Sequence, residues 1–127
     1  MKLVFAALLL AGVLPLVCAA IAKWGFHHYD NHAPRAWLAR QTGYRARANA
    51  AQANSHEAFA FFAAALLSAA YAGVPASTLA PLAGLYVLSR IAYIACYVAN
   101  RATWRSLCWL VGYALVISLF VLAIGAR

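Results

Sequence analysis

The stretch Arg45–Phe62 reads RARANAAQANSHEAFAFF. It opens a run, about Ala48–Ala72, whose remainder has the composition of a lipid-embedded helix. Two arginines, three amides, a histidine and the chain's only glutamate, Glu57, stand at its entrance. Ionisable groups are expensive in hydrocarbon unless they face protein or a watered cavity. What these groups face decides both the fold and the chemistry.

The surrounding composition fixes the class. The chain has 127 residues, room for one domain. It is 67% hydrophobic and 9% charged, against roughly 45–50% and about 25% in an ordinary soluble domain. Mean hydropathy is +0.78. A soluble fold of this size cannot hide that much apolar surface, so the chain reads as an integral membrane protein. The formal net charge of +8 comes from basic residues in the connections between apolar runs. There they orient a membrane protein, and no nucleic-acid partner is expected. Cys18, Cys96 and Cys108 all lie in apolar runs without CxxC or zinc-type spacing, and read as small buried hydrophobes. His28 and His32 are one helical turn apart and follow His27, but no third ligand of defined spacing exists, so no metal is expected.

Four apolar runs are visible, at 3–24, 48–72, 77–99 and 104–124. Each is long enough, at about 1.5 Å per residue, to cross a hydrocarbon core of ~30 Å. The expected fold is therefore an all-α, integral membrane four-helix bundle forming a single domain. Gly73-Val74-Pro75 closes the second run, Ser77 is placed to cap the third, and Pro15 and Pro81 are expected to kink their helices. The first run resembles a signal peptide, but it is longer than an ordinary signal core and fits a lipoprotein box poorly, so it is read as a retained span. Loop 1, Gly25 to about Arg45, carries Trp37 and Tyr44, suited to the membrane interface, as does Trp24 just before it. Lys23, Arg35, Arg40, Arg45 and Arg47 gather around loop 1, and Arg101 and Arg105 around loop 3. Lys2 and Arg127 alone stand on the other side. The charge bias puts loops 1 and 3 in the cytoplasm and both termini outside.

Helical geometry then sorts the polar residues. At roughly 100° per residue, Arg47, Asn54, Glu57 and Phe61 fall within an arc of about 80°. Asn49, Gln52 and His56 lie on the opposite side. A helix polar on two sides meets a different protein neighbour on each, which points to a central helix or an oligomer. In the third run Tyr86, Arg90, Tyr93 and Tyr97 share one face. A buried Arg90 needs a partner, and Glu57 is the acidic group at matching depth, so an Arg90–Glu57 pair is expected. In the fourth run Arg105, Trp109 and Tyr113 line one face. An arginine there can anchor the helix end or hold an anion, including a thiolate, at the mouth of a cleft.

These motifs resemble those of the MAPEG family, membrane-associated proteins in eicosanoid and glutathione metabolism. Arg47, Gln52, Asn54 and Glu57 resemble the second-helix signature. Arg90-x-x-Tyr93-x-x-x-Tyr97 resembles the third helix, and Arg105-Ser106 the opening of the fourth. The resemblance covers essentially the whole chain and is nearest to a bacterial branch with RAxxAQANxxE, which implies a multi-pass protein of the inner membrane. It implies a homotrimer that binds glutathione between protomers, with membrane lipids around it and a small lipophilic substrate arriving from them. Carried over, Asn54, Glu57, Tyr93 and Tyr97 hold glutathione, Gln52 reaches in from a neighbouring protomer, and Arg105 stabilises the thiolate; Arg90 and Arg47 are counted with the binding residues, Arg47 by reaching inward. The chain departs from glutathione-using members at Ala50 and Ala53, where they carry arginines, and at Ala58 and Ala60, where they often carry an aromatic and a proline.

The resulting expectation is a glutathione-dependent transferase or peroxidase. The alternative is a non-catalytic membrane protein, a lipid or small-anion binder or structural subunit, that retains the fold. A small proton-coupled exporter fits worse, because that design wants its glutamate in the first span and this span has no acidic residue.

Overall fold

The computed structural model describes residues 1–126; Arg127, one of the charges used to assign sidedness, lies outside them. The elements in chain order are α1 (Lys2–Ala22), a 3-10 turn (Trp24–Phe26), α2 (Pro34–Ala39), α3 (Gly43–Tyr71), α4 (Ala76–Val98) and α5 (Ala102–Gly125). No strand occurs among the described residues. The four long helices form the expected all-α bundle.

α3 and α4 are the central pair. Each packs on the other and on both α1 and α5, which flank them. Small residues make the contact between α1 and α3 close: Ala7 and Ala11 of α1 are buried in one cluster with Ala65 and Ala69 of α3. A Cβ at Gly12 would lie 3.3 Å from the Phe59 ring. In lipid there is little hydrophobic drive between helices, so such close backbone packing supplies much of the cohesion. The core of this half is completed by Phe62, Leu66, Leu79, Tyr86 and Leu119. Large apolar side chains such as Leu3, Leu9, Leu16, Leu88, Leu110 and Val121 face outward. An outward apolar surface is what a helix bundle shows to lipid.

The sequence leads to four apolar spans, but only α1 with its 3-10 extension, α4 and α5 are both long and apolar enough to cross a membrane by composition. α3 is the longest helix, at 29 residues, yet its first half carries Arg45, Arg47, Asn49, Gln52, Asn54, His56 and Glu57. It starts at Gly43, ahead of the apolar run, because those polar residues continue the helix rather than precede it. Its place among the other three comes from packing rather than from hydropathy.

The turns follow local chemistry. Gly73 has φ +87, and Val74 N–H donates to the Ala69 carbonyl at 3.0 Å, the six-residue closure that favours glycine at a helix end. Asn100, with φ 58, does the same after α4, where Arg101 N–H donates to the Cys96 carbonyl at 2.8 Å. Ser77 is not the cap of α4: the helix begins at Ala76, and Pro75 holds the N-cap position. Pro15 and Pro81 lie inside α1 and α4, which continue through them.

Candidate functional site

The site grows from the stripe on α4. Arg90 is 3% exposed. Its Nη2 donates to Asn54 Oδ1 at 2.8 Å and to Ser55 Oγ at 3.3 Å, and its Cζ lies 4.1 Å from the Tyr93 ring centroid. The expected Arg90–Glu57 ion pair is absent: among the described residues no carboxylate comes within 4.0 Å of any basic group. Glu57 is exposed on α3, one turn beyond Asn54. Depth along the helices is as expected, but the rotation of α3 turns Asn54 and Ser55, not Glu57, toward the guanidinium.

Arg90 and Glu57 nevertheless line one cavity of about 210 Å³ between α3, α4 and α5. Asn54, Tyr86, Trp109, Gly112 and Tyr113 complete much of its wall. Tyr86 is fixed there by donating to the Ala58 carbonyl at 3.0 Å and by stacking on Phe62 with centroids 3.8 Å apart. A second depression adjoins it, lined by Asn54, Tyr93, Tyr97, Arg105, Ser106 and Trp109. Asn54 and Trp109 belong to both. Together they form a cleft, polar and aromatic at one end and apolar toward Phe61 and Val116.

Two cations bracket a pair of tyrosines along this cleft. Arg90 packs on Tyr93, Tyr93 meets Tyr97 edge to face at 5.6 Å, and Arg105 Cζ sits 4.5 Å from the Tyr97 ring centroid. The aromatic faces hold the guanidinium planes without using their N–H donors. The half-buried Arg105 has no hydrogen-bonded protein partner among the described residues, so its donors remain available to an anion.

The remaining candidates lie elsewhere. Arg47 Nε donates to the Val98 carbonyl at 3.0 Å, capping the C-terminal end of α4 rather than reaching into the cleft. Arg45 caps α1 in the same manner, with Nη1 to the Ala22 carbonyl at 2.9 Å and Nη2 to the Trp24 carbonyl at 2.6 Å. Helix C-termini present unsatisfied carbonyls that cations serve well. Gln52 is on another face of α3, in a depression shared with Arg35, Leu38, Asn49, Ala50, Ala53 and His56. Its Oε1 is buried without a hydrogen-bond partner. The two polar faces expected of α3 are therefore present, and only one belongs to the cleft.

Ser55 and Gly112 did not stand out in the sequence. Ser55 lies inside the polar cluster, and its role depends on helix rotation. A Cβ at Gly112 would fall 3.0 Å from Ser89 Oγ, so the glycine sets how closely α5 approaches α4. Among the described residues no cluster of His, Cys, Asp or Glu could hold a metal.

No curated protein and no solved structure matches the chain. The profile of the MAPEG family, however, matches residues 3–125. The family motifs on α3, α4 and α5 thus sit within a match that spans nearly every residue, and the chain belongs to the MAPEG family.

Proposed function

We propose that the cleft binds glutathione and activates its thiol for attack on lipophilic electrophiles, in a transferase or peroxidase reaction. The observation that carries this reading is Arg105, held on Tyr97 at the mouth of the cleft with its donors free. A guanidinium beside a thiol favours the ionised, nucleophilic form. Glu57, unpaired on the same cleft, complements the ammonium group of a ligand that also carries carboxylates. The fit is one of charge: a zwitterionic peptide meets separate cationic and anionic groups. Asn54, Tyr93 and Tyr97 supply amide and hydroxyl contacts beside it. Arg90 supports the wall by holding Asn54.

The apolar end of the cleft, toward Phe61 and Val116, suits a substrate that partitions from lipid. Bringing thiolate and electrophile together in one site supplies the proximity part of the rate. In conjugation the sulfur lone pair forms the new S–C bond as a leaving group departs or a double bond is saturated. In peroxide reduction it attacks the terminal peroxide oxygen as the O–O bond breaks; the alcohol leaves with a proton, and a second glutathione displaces water from the resulting sulfenic acid to give glutathione disulfide.

The second polar face, with the orphaned Gln52, supports assembly as a homotrimer in which Gln52 of one protomer serves the cleft of the next. Ala50 and Ala53 line this same outer face. Arginines in their place would act across the interface, and their loss costs about 1.5–3 kcal/mol for each charge-assisted bond, roughly one to two decades of affinity. That loss favours the second reading, a non-catalytic member that keeps the fold and binds a lipid or small anion. The charge bias supports loops 1 and 3 in the cytoplasm, where glutathione is supplied, and the likeness of the α3 motif to the bacterial branch supports an inner membrane as the setting.

The test is a glutathione titration of the detergent-purified protein followed by ultraviolet difference spectra. The expected result is a saturating thiolate band that Arg105→Ala abolishes and Glu57→Gln weakens. No binding up to millimolar glutathione sinks the enzyme reading in favour of the non-catalytic one.

A further inference from the structure

Two aromatic side chains stand exposed where α1 ends, and the cleft makes no use of them: Trp24 is 73% and Phe26 67% exposed. The turn that carries them is strained and pinned. Gly25 and Phe26 both have positive φ, +78 and +46, a region that costs a side chain as bulky as Phe steric energy. Tyr29 holds the turn in place. Its N–H donates to the Phe26 carbonyl at 3.1 Å, and its ring meets Phe26 at 5.6 Å and the buried Trp37 at 5.2 Å, edge to face. Its hydroxyl accepts from Lys23 Nζ at 3.0 Å. Two rings are thus presented outward with an oriented ammonium beside them. Lys23, Trp24, Gly25 and Phe26 line, with Ala19 and Ala20, an almost wholly apolar groove of about 520 Å³. Its floor is a notch, because Leu16, Ala20 and Trp24 follow at one-turn spacing and the small Ala20 separates two large exposed side chains. Leu9, Val13 and Leu16 continue the same outward face along α1, so the groove runs into the apolar outer surface of the bundle.

The open end of the groove is cationic. An ammonium carries three donors; Lys23 spends one on Tyr29, and no carboxylate pairs with it among the described residues. The C-terminus of α1 would by itself repel an anion. Arg45 cancels that field by donating to the Ala22 and Trp24 carbonyls. Asp30, the acidic residue of loop 1, is turned to its own backbone, where it accepts from the His32 N–H at 2.9 Å.

We infer that this groove is a binding site for an anionic phospholipid, with an acyl chain in the Ala20 notch and the phosphate on Lys23. The occupant follows from the two halves of the site together. A free phosphate has nothing to place against Ala20, Trp24 and Phe26. A zwitterionic lipid brings a cation of its own toward Lys23 and Arg45. A second copy of this chain is a poor cover for the ammonium, because the chain has only two acidic side chains and a net charge of +8. Exposed aromatic rings beside a lysine at the end of a span are the groups that meet lipid headgroups, and basic residues there favour anionic ones. The inference stands whether or not the cleft binds glutathione.

The test exchanges the full-length protein into a mild detergent containing equal amounts of phosphatidylglycerol and phosphatidylcholine, and counts bound lipid by native mass spectrometry. The expected result is phosphatidylglycerol retained in preference to phosphatidylcholine. Lys23→Gln should lower that retention about fivefold, the effect of one basic residue at a lipid surface. Ala20→Leu, which fills the notch and leaves the charge alone, should lower it as well, whereas Lys2→Gln at the far end of α1 should not. Equal retention of the two lipids by the wild type would overturn the inference. A preference that survives both Lys23→Gln and Ala20→Leu would do the same, since it would belong to the basic end of the bundle at large. Displacement of the lipid by millimolar inorganic phosphate would make this a soluble-anion site and also overturn it. The two variants act on different halves of the groove, so either one that folds decides the location, and the wild-type comparison needs neither.

Discussion

Arg90 and Asn54 are joined by a 2.8 Å hydrogen bond across the α3–α4 interface, and this bond takes the place of an ion pair in the middle of the bundle. A buried cation held by neutral acceptors alone depends heavily on each of them. Asn54→Ala should therefore lower stability by about 1.5–3 kcal/mol, the range for a hydrogen bond to a charged group. Adding Arg90→Met to Asn54→Ala should recover part of that loss, because the unsatisfied guanidinium is removed as well. Unfolding in mixed micelles measures both, and a double variant less stable than Asn54→Ala would show that the cation finds other partners.

The sequence made the depth of these groups legible but not their azimuth. Counting residues along helices put Glu57 and Arg90 at one level, and they do share a cavity. Which α3 side chain meets Arg90 depends on how the helices rotate and cross, which residue spacing does not encode. The Tyr86–Arg90–Tyr93–Tyr97 stripe was readable because it needs only the periodicity of one helix. The same periodicity groups Arg47 with the cleft residues, yet a long side chain near a helix end bends to the nearest unsatisfied carbonyl. Gly112 carries no pattern at all, since close approach is a property of two helices together.

Gly112 offers a test of that approach. An added methyl meets Ser89 Oγ at 3.0 Å, and Ser89 is held in place by donating to the Tyr86 carbonyl at 2.7 Å. Gly112→Ala should cost about 1–3 kcal/mol, as overpacking of a tight contact does. Ser89→Ala in the same chain should return most of it. Additive effects in this double-mutant cycle would mean that the helices part instead of clashing.

The stacking of Arg105 on Tyr97 predicts a graded series. Tyr97→Leu removes a cation–π contact of about 0.5–2 kcal/mol while leaving the charge in place. The thiolate stabilisation proposed for the cleft should then fall by less than in Arg105→Ala. Arg105→Lys keeps the charge but loses the planar stack and its fork of donors, so it should fall between the two. The ultraviolet thiolate band measures all three, and a Tyr97→Leu protein as impaired as Arg105→Ala would make the ring, not the cation, the principal contact.

Arg47 offers a test that separates a structural arginine from the binding role proposed for Arg105. The family signature associates it with the cleft, whereas its Nε caps α4 through the Val98 carbonyl at 3.0 Å. A cap of this kind contributes about 1–2 kcal/mol when partly buried at a helix C-terminus. Arg47→Ala should therefore destabilise the bundle by that amount, with the change concentrated in amide-exchange protection at the last turn of α4. Its effect on ligand affinity should be small beside that of Arg105→Ala. Arg45→Ala should behave alike at the end of α1, where its two bonds are made to Ala22 and Trp24. If Arg47→Ala instead left stability intact and weakened binding tenfold, its side chain would have to leave Val98 and turn into the cleft when a ligand binds.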